Sequence, residues 1–147
     1  MKKIPFELYK KIVDVLPILC VDILLKYDGK YILVKRKNEP VKDFWWPPGG
    51  RVLKGETIEN AAKRKIKEEL GVEAEILKVQ GYYEAFFKES AFESKSGTHS
   101  LSIVVLAKPP SSDFKLDSQS SGWRFSKTLP KNFKIKTFAP RRTLFPR

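Results

Sequence analysis

Cysteine, histidine and methionine each occur only once in the 147 residues of this chain. The lone Cys20 cannot form a disulfide within the chain, which excludes a small fold stapled by disulfides and favours a reducing compartment. A long apolar run is also missing. Two acidic residues and a proline interrupt the most apolar stretch, residues 12–25, which is too short to span a bilayer. We therefore expect a cytoplasmic protein without a membrane partner.

Acidic residues are absent from positions 118–147, which hold eight of the 29 lysines and arginines. The other positions carry 21 basic residues against 17 acidic ones, so most of the formal net charge of +12 belongs to the C-terminal part. We call residues 127–147 the basic C-terminal segment. Such an excess attracts polyanions, such as nucleotides, nucleic acid or an acidic protein, although it can also serve solubility alone.

The chain length predicts a single domain, residues 1–147. Thr57 can cap a helix that ends near Leu70, and Gly71 is the expected stop. Periodicity and turn signals predict the other elements: a helix over 5–15, a hairpin over 18–35, a loop rich in Pro and Gly over 38–50, and strands over 51–53, 73–87, 100–107 and 122–126. This order predicts an α/β (α+β) fold in which helices pack on a mixed sheet.

The charged residues in the last two turns of the predicted helix after Thr57 include Arg64, Lys65, Glu68 and Glu69. Residues three and four apart share one face of a helix, so Lys65 neighbours both glutamates. One interpretation is a solvated surface with Lys65–Glu69 and Arg64–Glu68 ion pairs. The other is a metal site, because carboxylates without Cys or His suit Mg²⁺ or Mn²⁺. The opposite face is apolar and predicted to be buried: Ile58, Ala61, Ala62, Ile66 and Leu70.

The spacing around this helix resembles the Nudix box of the Nudix hydrolases. The matching residues of the box, residues 50–72, are Gly50, Glu56, Arg64, Ile66, Glu68, Glu69, Gly71 and Val72. This resemblance implies an α/β/α sandwich with a mixed sheet and Mg²⁺-dependent hydrolysis of a nucleoside diphosphate linked to another group. It also implies that Glu56, Glu68 and Glu69 hold the metal. Lys65 departs from the pattern, because the family usually has a glutamate directly after the arginine.

Residues 17–125 are similar to the GDP-mannose mannosyl hydrolase branch of the family. The similarity is carried by "CVDILL", "LVKRKNEP", "FWWPPGGRVLKGET" and "DSQSSGWRF". It implies metal contacts from the Gly49 carbonyl, Glu69 and the Gln119 side chain. It further implies that four residues surround the sugar and the diphosphate: Asp22, Arg36, Arg51 and Arg64. Apart from the resemblance, Trp46 is a candidate for stacking on the base.

This chain differs from that branch at Ser120, where the branch has a catalytic histidine, and in keeping Glu68. Serine is not a base near pH 7, so we expect water to attack phosphorus, with Glu68, Glu69 and Arg64 as the catalytic residues. Two alternatives stay open. One is attack at the sugar carbon, for which His99 is the candidate base. The other is a catalytically weak Nudix fold that binds a nucleotide or RNA. A homodimer through the apolar N-terminal helix also stays open.

Overall fold

The computed structural model of the chain describes residues 4–39, 41–88 and 97–137. Within these ranges, two helices and seven strands follow one another in the chain. They are α1 (Phe6–Val15), β1 (Ile18–Tyr27), β2 (Lys30–Arg36), β3 (Trp45–Trp46), β4 (Gly49–Arg51), α2 (Ile58–Leu70), β5 (Glu75–Phe87), β6 (Thr98–Lys108) and β7 (Ser120–Ser126). The last part of the basic C-terminal segment, residues 138–147, lies outside the described residues. Neither described helix has the length and apolar character needed to cross a membrane.

Strand β1 is the central element of a mixed sheet. It pairs in parallel with β6, and it pairs antiparallel with β4 at its first residues and with β2 at its last. The main strand order is β3-β2-β1-β6-β5, with β4 added on β1 and β7 on β2. Seven strands with helices packed against them confirm the predicted fold class.

Helix α2 begins and ends where its sequence predicts. The Thr57 hydroxyl accepts a hydrogen bond from the Asn60 N–H at 3.1 Å, which satisfies one of the free donors of the first turn. Gly71 ends the helix with a φ of 70°, a left-handed conformation that glycine adopts without strain. The predicted apolar face is confirmed, because Ala61, Ala62, Ile66 and Leu70 are fully buried in the core and Ile58 packs against it. Burying this face fixes the position of the charged residues beside it.

The segment rich in Pro and Gly is where the local prediction was wrong. It was predicted as a loop followed by a strand over 51–53, but it contains β3 and β4, and the second of these strands ends at Arg51. Gly49 pairs with Asp22, and a Cβ at Gly49 would clash with the Val21 carbonyl oxygen and the Asp22 carboxylate. The glycine therefore permits a close backbone pairing with β1, a long-range contact that overrides the local turn signal.

The remaining elements agree with their predictions to within two residues. Asp28 and Gly29 both have positive φ, 48° and 72°, as the tight turn between β1 and β2 requires. Strand β5 changes register between Val79 and Gly81. The two long strands β5 and β6 form one wall of the cleft described below.

Candidate active site

A cleft of about 840 Å³ opens between α1, α2 and the strands β1, β4 and β6. Its volume lies within the range of small-molecule sites, which is roughly 300–1,000 Å³. Eight of the residues predicted from sequence line it: Asp22, Arg36, Trp46, Gly49, Arg51, Arg64, Glu68 and Gln119. The other two, Glu56 and Glu69, contact residues that line it. The fold therefore brings the predicted site residues into one region, although they come from separate segments of the chain.

Arg64 and Glu56 form a two-point ion pair beside the cleft. Arg64 Nε donates to Glu56 Oε1 at 2.6 Å and Nη2 donates to Oε2 at 2.9 Å. The same Nη2 donates to the Arg51 carbonyl oxygen at 2.9 Å, and the Leu53 N–H donates to Glu56 Oε2 at 2.9 Å. The hydrogen bond from Arg64 holds the pKa of Glu56 below its ordinary value. Glu56 therefore ties the loop after β4 to the helix.

Lys65 lies between the two glutamates that close helix α2. Its Nζ is 3.1 Å from Glu69 Oε1 and 3.2 Å from Glu68 Oε2, and its side chain is only 9% exposed. Arg64 Nη1 donates to both Glu68 oxygens at 3.2 Å. Both ion pairs of the surface-helix interpretation therefore exist, but Lys65 and Glu69 are buried, which a solvated face does not explain.

The two glutamates differ in their surroundings. Burial raises the pKa of Glu69 above its ordinary value, against the opposing charges of Lys65 and Arg36, and the charge of Asp117 adds to the rise. Burial also acts on Glu68, but Arg64 and Lys65 outweigh it and hold the pKa of Glu68 below its ordinary value. The Gly49 N–H donates to Glu69 Oε1 at 3.3 Å. Glu68 is thus the half-exposed member of the pair that stays ionised most easily.

The donors available to a metal are oxygens. In the described part of the chain, no group of three or more His, Cys, Asp or Glu side chains is placed to hold an ion. Two carboxylates with a backbone carbonyl and an amide nearby still fit Mg²⁺, which commonly takes one or two protein carboxylates, waters and phosphate oxygens from a substrate. The donor set therefore suits a hard divalent cation that binds together with a phosphate.

Asp22 is held on the sheet side of the cleft by residues distant in the chain. Tyr83 Oη donates to Asp22 Oδ2 at 2.6 Å. Burial raises the pKa of Asp22, while hydrogen bonds from Tyr83 and Ser102 and the charge of Arg36 oppose the rise. The Tyr83 ring packs against Trp46 and Phe133, which places most of Trp46 in the core. Asp22 therefore has a fixed position in the cleft.

Two arginines supply positive charge along the cleft. The Nε atom of Arg36 is buried and has no hydrogen-bond partner among the described residues. The Arg51 guanidinium lies over the Tyr9 ring, 4.0 Å from its centroid, so helix α1 supports one side of the cleft. A buried N–H without a partner is costly, so Arg36 is a strong candidate for contacting an anionic ligand.

Ser120 and His99 bear on the open question of the general base. Ser120 is buried at the start of β7, where it pairs with Arg36 across the sheet. The His99 ring stacks on Phe86, with centroids 4.2 Å apart, and His99 lines a smaller pocket with residues of α1 and the turn after it. Its neighbours Thr98 and Ser100 line the main cleft instead. His99 is therefore not among the residues that line the cleft.

Comparison with known proteins identifies the family. The family model of the NUDIX domain matches residues 17–139 of this chain. The chain belongs to the Nudix family. Nudix hydrolases generally use a divalent metal such as Mg²⁺ and act on small molecules. Membership confirms the resemblance found in the box at 50–72.

Individual Nudix relatives cover different shares of the chain. The low-salt glycan biosynthesis protein Agl8 of Haloferax volcanii is 33% identical over 119 residues, which are 81% of this chain and 76% of that protein. The ADP-ribose pyrophosphatase of Methanocaldococcus jannaschii is 38% identical over 90 residues, 61% of this chain but only half of that protein. The solved structure of a MutT protein from Methanosarcina mazei Go1 superposes with a TM-score of 0.64 over 78% of this chain and 86% of that one, at 21% identity, which supports the fold.

Ser102 and Tyr9 are among the residues of this Nudix cleft that were not predicted from the sequence. Ser102 faces the cleft next to Asp22, and the alternation of Ser100 and Ser102 within an apolar strand was a signal that could have indicated it. Tyr9 gave no such signal, because its helical spacing is that of an ordinary apolar face. Its role depends on where α1 packs, which the local sequence does not encode.

Proposed function

We propose that this Nudix protein hydrolyses a nucleotide sugar, such as GDP-mannose, with Mg²⁺, by water attack at phosphorus. Water adds to one phosphorus of the diphosphate and the bridging P–O bond breaks, which releases a nucleoside monophosphate and a sugar phosphate. The observation that carries this proposal is the contrast within one cleft. The unpartnered Arg36 N–H suits an anion, and the carboxylates of Glu68 and Glu69 suit a cation.

The arginines are the proposed contacts to the diphosphate. Arg36 can donate its buried Nε–H to a phosphate oxygen, which would satisfy that unpaired donor. Arg51 is held over the Tyr9 ring and can add a second donor without losing that contact. Planar guanidinium groups suit this task, because they can bond two oxygens of a phosphate at once.

The carboxylates are the proposed metal-binding and water-positioning groups. A bound divalent ion would neutralise phosphate charge and lower the pKa of a bound water. Glu68 is held ionised by Arg64 and Lys65, so it can orient the attacking water or accept its proton. The Glu56–Arg64 pair fixes the guanidinium from which Glu68 takes two of its hydrogen bonds. Gln119 and the Gly49 carbonyl are the proposed further ligands.

The choice of reaction rests on Ser120 and Glu68, and the choice of substrate on the relatives. Ser120 is buried and is no base near neutral pH, which disfavours activation of water for attack at the sugar carbon. The name of the Methanocaldococcus relative states a pyrophosphatase of ADP-ribose, a nucleoside diphosphate carrying a sugar. The name of the Haloferax relative states a role in glycan biosynthesis, which is consistent with a sugar nucleotide.

The test is incubation of the protein with Mg²⁺ and GDP-mannose, ADP-ribose or other nucleotide sugars, with products read by ³¹P NMR. We expect a nucleoside monophosphate and a sugar phosphate, no turnover with EDTA, and recovery when Mg²⁺ is restored. Reaction in H₂¹⁸O should place the label on a phosphate. GDP with free mannose would contradict attack at phosphorus, and no turnover of any nucleotide sugar would contradict the proposal as a whole.

A further inference from the structure

The position of Lys65 has a consequence for how many metal ions the site can hold. Its ammonium lies 3.1 Å from Glu69 and 3.2 Å from Glu68, so a single cation already bridges the two carboxylates. The side chain reaches this point through the buried side of the helix and is 9% exposed. Arg64, one residue earlier, is 26% exposed and pairs with Glu56 as well as with Glu68. The two adjacent cations therefore share Glu68, and Lys65 also reaches the buried Glu69.

The backbone opposite Lys65 is shaped to admit the lysine. A Cβ placed on Gly50 would lie 2.9 Å from Lys65 Cε and 3.4 Å from Nζ. A side chain at this position would crowd the end of the lysine side chain, which would have to shift. Gly50 of β4 therefore leaves the room that Lys65 occupies.

We infer that Lys65 is a built-in cation that takes the place of one divalent ion between Glu68 and Glu69, so that this pair holds a single ion. The inference rests on the proposed role of the two glutamates as metal ligands. A divalent ion bound to a carboxylate oxygen lies about 2.1 Å from it. A second ion on the inner side of the pair would therefore lie a few ångströms from the ammonium, where like charges repel strongly in a partly buried site.

The experiment counts Mn²⁺ ions bound per chain, with free Mn²⁺ followed by electron paramagnetic resonance and without nucleotide. The full-length wild-type protein is compared with Lys65→Met, which removes the charge and keeps a similar length. Lys63→Met is the matched control, because among the described residues Lys63 pairs with the exposed Glu59 on the same helix, at 2.7 Å. We expect Lys65→Met to bind one more ion than the wild type, or to bind Mn²⁺ about tenfold more tightly, and Lys63→Met to match the wild type.

Two further variants locate the effect and guard against misfolding. The double variant Lys65→Met/Glu68→Gln should lose the additional Mn²⁺ binding of Lys65→Met, since the extra ion needs both carboxylates. If the double variant still binds the extra ion, that ion lies elsewhere and the inference is overturned. Circular dichroism and the thermal midpoint report whether each variant folds, and Lys65→Gln replaces Lys65→Met if the latter does not. The number of Mn²⁺ ions bound by the wild type is a separate test. If the wild type binds two ions and Glu68→Gln loses both together, the inference is overturned.

The outcomes separate this inference from the proposed hydrolase. Equal Mn²⁺ counts and affinities in the wild type and Lys65→Met overturn the role of Lys65, even if the wild type hydrolyses nucleotide sugars. A gain in Lys65→Met supports that role, even if no substrate is turned over. Absence of Mn²⁺ binding in both proteins overturns it irrespective of activity.

Discussion

The two walls of the cleft are built in opposite ways. On the helix wall, Glu56, Arg64, Lys65, Glu68 and Glu69 pair with one another, and four of these five lie within six residues of the chain. On the sheet wall, Asp22 takes a hydrogen bond from Tyr83, 61 residues away, and the Arg36 Nε is left without a partner. The helix wall satisfies its charges locally, and the sheet wall depends on distant contacts and leaves one donor free.

This difference indicates which wall meets which part of a ligand. On the helix wall the carboxylates and cations are already paired, so a hard cation can bind favourably only where a carboxylate keeps room for it, as at Glu68. On the sheet wall a buried guanidinium N–H is unpaired, so binding an anion there is favourable. The experiments below would break or sharpen this comparison.

The largest expected effect is on the helix wall, at Glu69. We expect Glu69→Gln to lower kcat/KM for the nucleotide sugar by about 10²–10³-fold, because it removes the charge of a carboxylate that is proposed to hold the metal ion. The measurement is steady-state kinetics with Mg²⁺. Glu59→Gln is the control, since Glu59 is exposed on the same helix and, within the described part of the chain, pairs with Lys63. Wild-type rates in Glu69→Gln would remove this residue from the catalytic set.

The next effect is on the sheet wall, at Arg36. Arg36→Lys keeps the positive charge that acts on Asp22 and Glu69 but removes the unpaired Nε–H. A hydrogen bond to a charged group contributes roughly 1.5–3 kcal/mol, so we expect KM to rise about tenfold or more with kcat little changed.

Arg124→Lys is the control for that measurement. Its guanidinium lies over Trp45, 4.5 Å from the ring centroid, and it does not line the cleft. An equal rise in KM in Arg36→Lys and Arg124→Lys would show that the replacement of arginine by lysine in general, and not the loss of the Arg36 donor, weakens binding.

A smaller effect is expected on stability at Tyr83. Tyr83→Phe removes one of the hydrogen bonds that the buried Asp22 accepts and leaves the one from Ser102, so the free energy of unfolding should fall by about 1–3 kcal/mol at pH 7. Burial raises the folded pKa of Asp22 above its unfolded value, and losing the hydroxyl raises it further. The ionised form therefore opposes folding at neutral pH, and the cost should shrink as pH falls below the folded pKa of Asp22.

Urea denaturation at pH 7 and at progressively lower pH measures this dependence. Tyr31→Phe is the control, because it keeps a ring that Lys26 contacts at 4.6 Å. A cost that is the same at every pH would mean that Asp22 is not ionised in the folded protein.

The smallest effect is expected at Glu56, whose carboxylate is paired with Arg64. Glu56→Gln should lower the free energy of unfolding by about 1–2 kcal/mol, because it weakens two charge-assisted hydrogen bonds from Arg64. Arg64 depresses the folded pKa of Glu56, so this contribution is present above the unfolded pKa of about 4.3 and lost as pH falls through the folded value. Denaturation at pH 7 and pH 3 measures the loss of stability and its dependence on pH. In the control Glu59→Gln, which weakens the exposed Glu59–Lys63 pair, the free energy of unfolding should fall by only about 0–0.5 kcal/mol.

Prediction from sequence succeeded where the determining contacts are local. The bounds of α2, its cap at Thr57 and its stop at Gly71 follow from residues within one or two turns. The box spacing then placed Arg64, Glu68 and Glu69 correctly with respect to each other. Prediction failed in the segment rich in Pro and Gly, because the pairing of Gly49 with Asp22 depends on a strand far away in the chain. The metal and substrate roles of these residues stay predictions.

The sequence by itself determined the family, the central helix and the order of charges along it, since these depend on spacing within one element. Only the tertiary structure decided that Lys65 is buried between Glu68 and Glu69, that Tyr83 holds Asp22, and that Arg36 keeps a free donor. The physical reason is that burial and long-range hydrogen bonding arise when strands from distant positions come together. The chemical role of a charged side chain depends on its partners and its exposure, and both are properties of the folded chain.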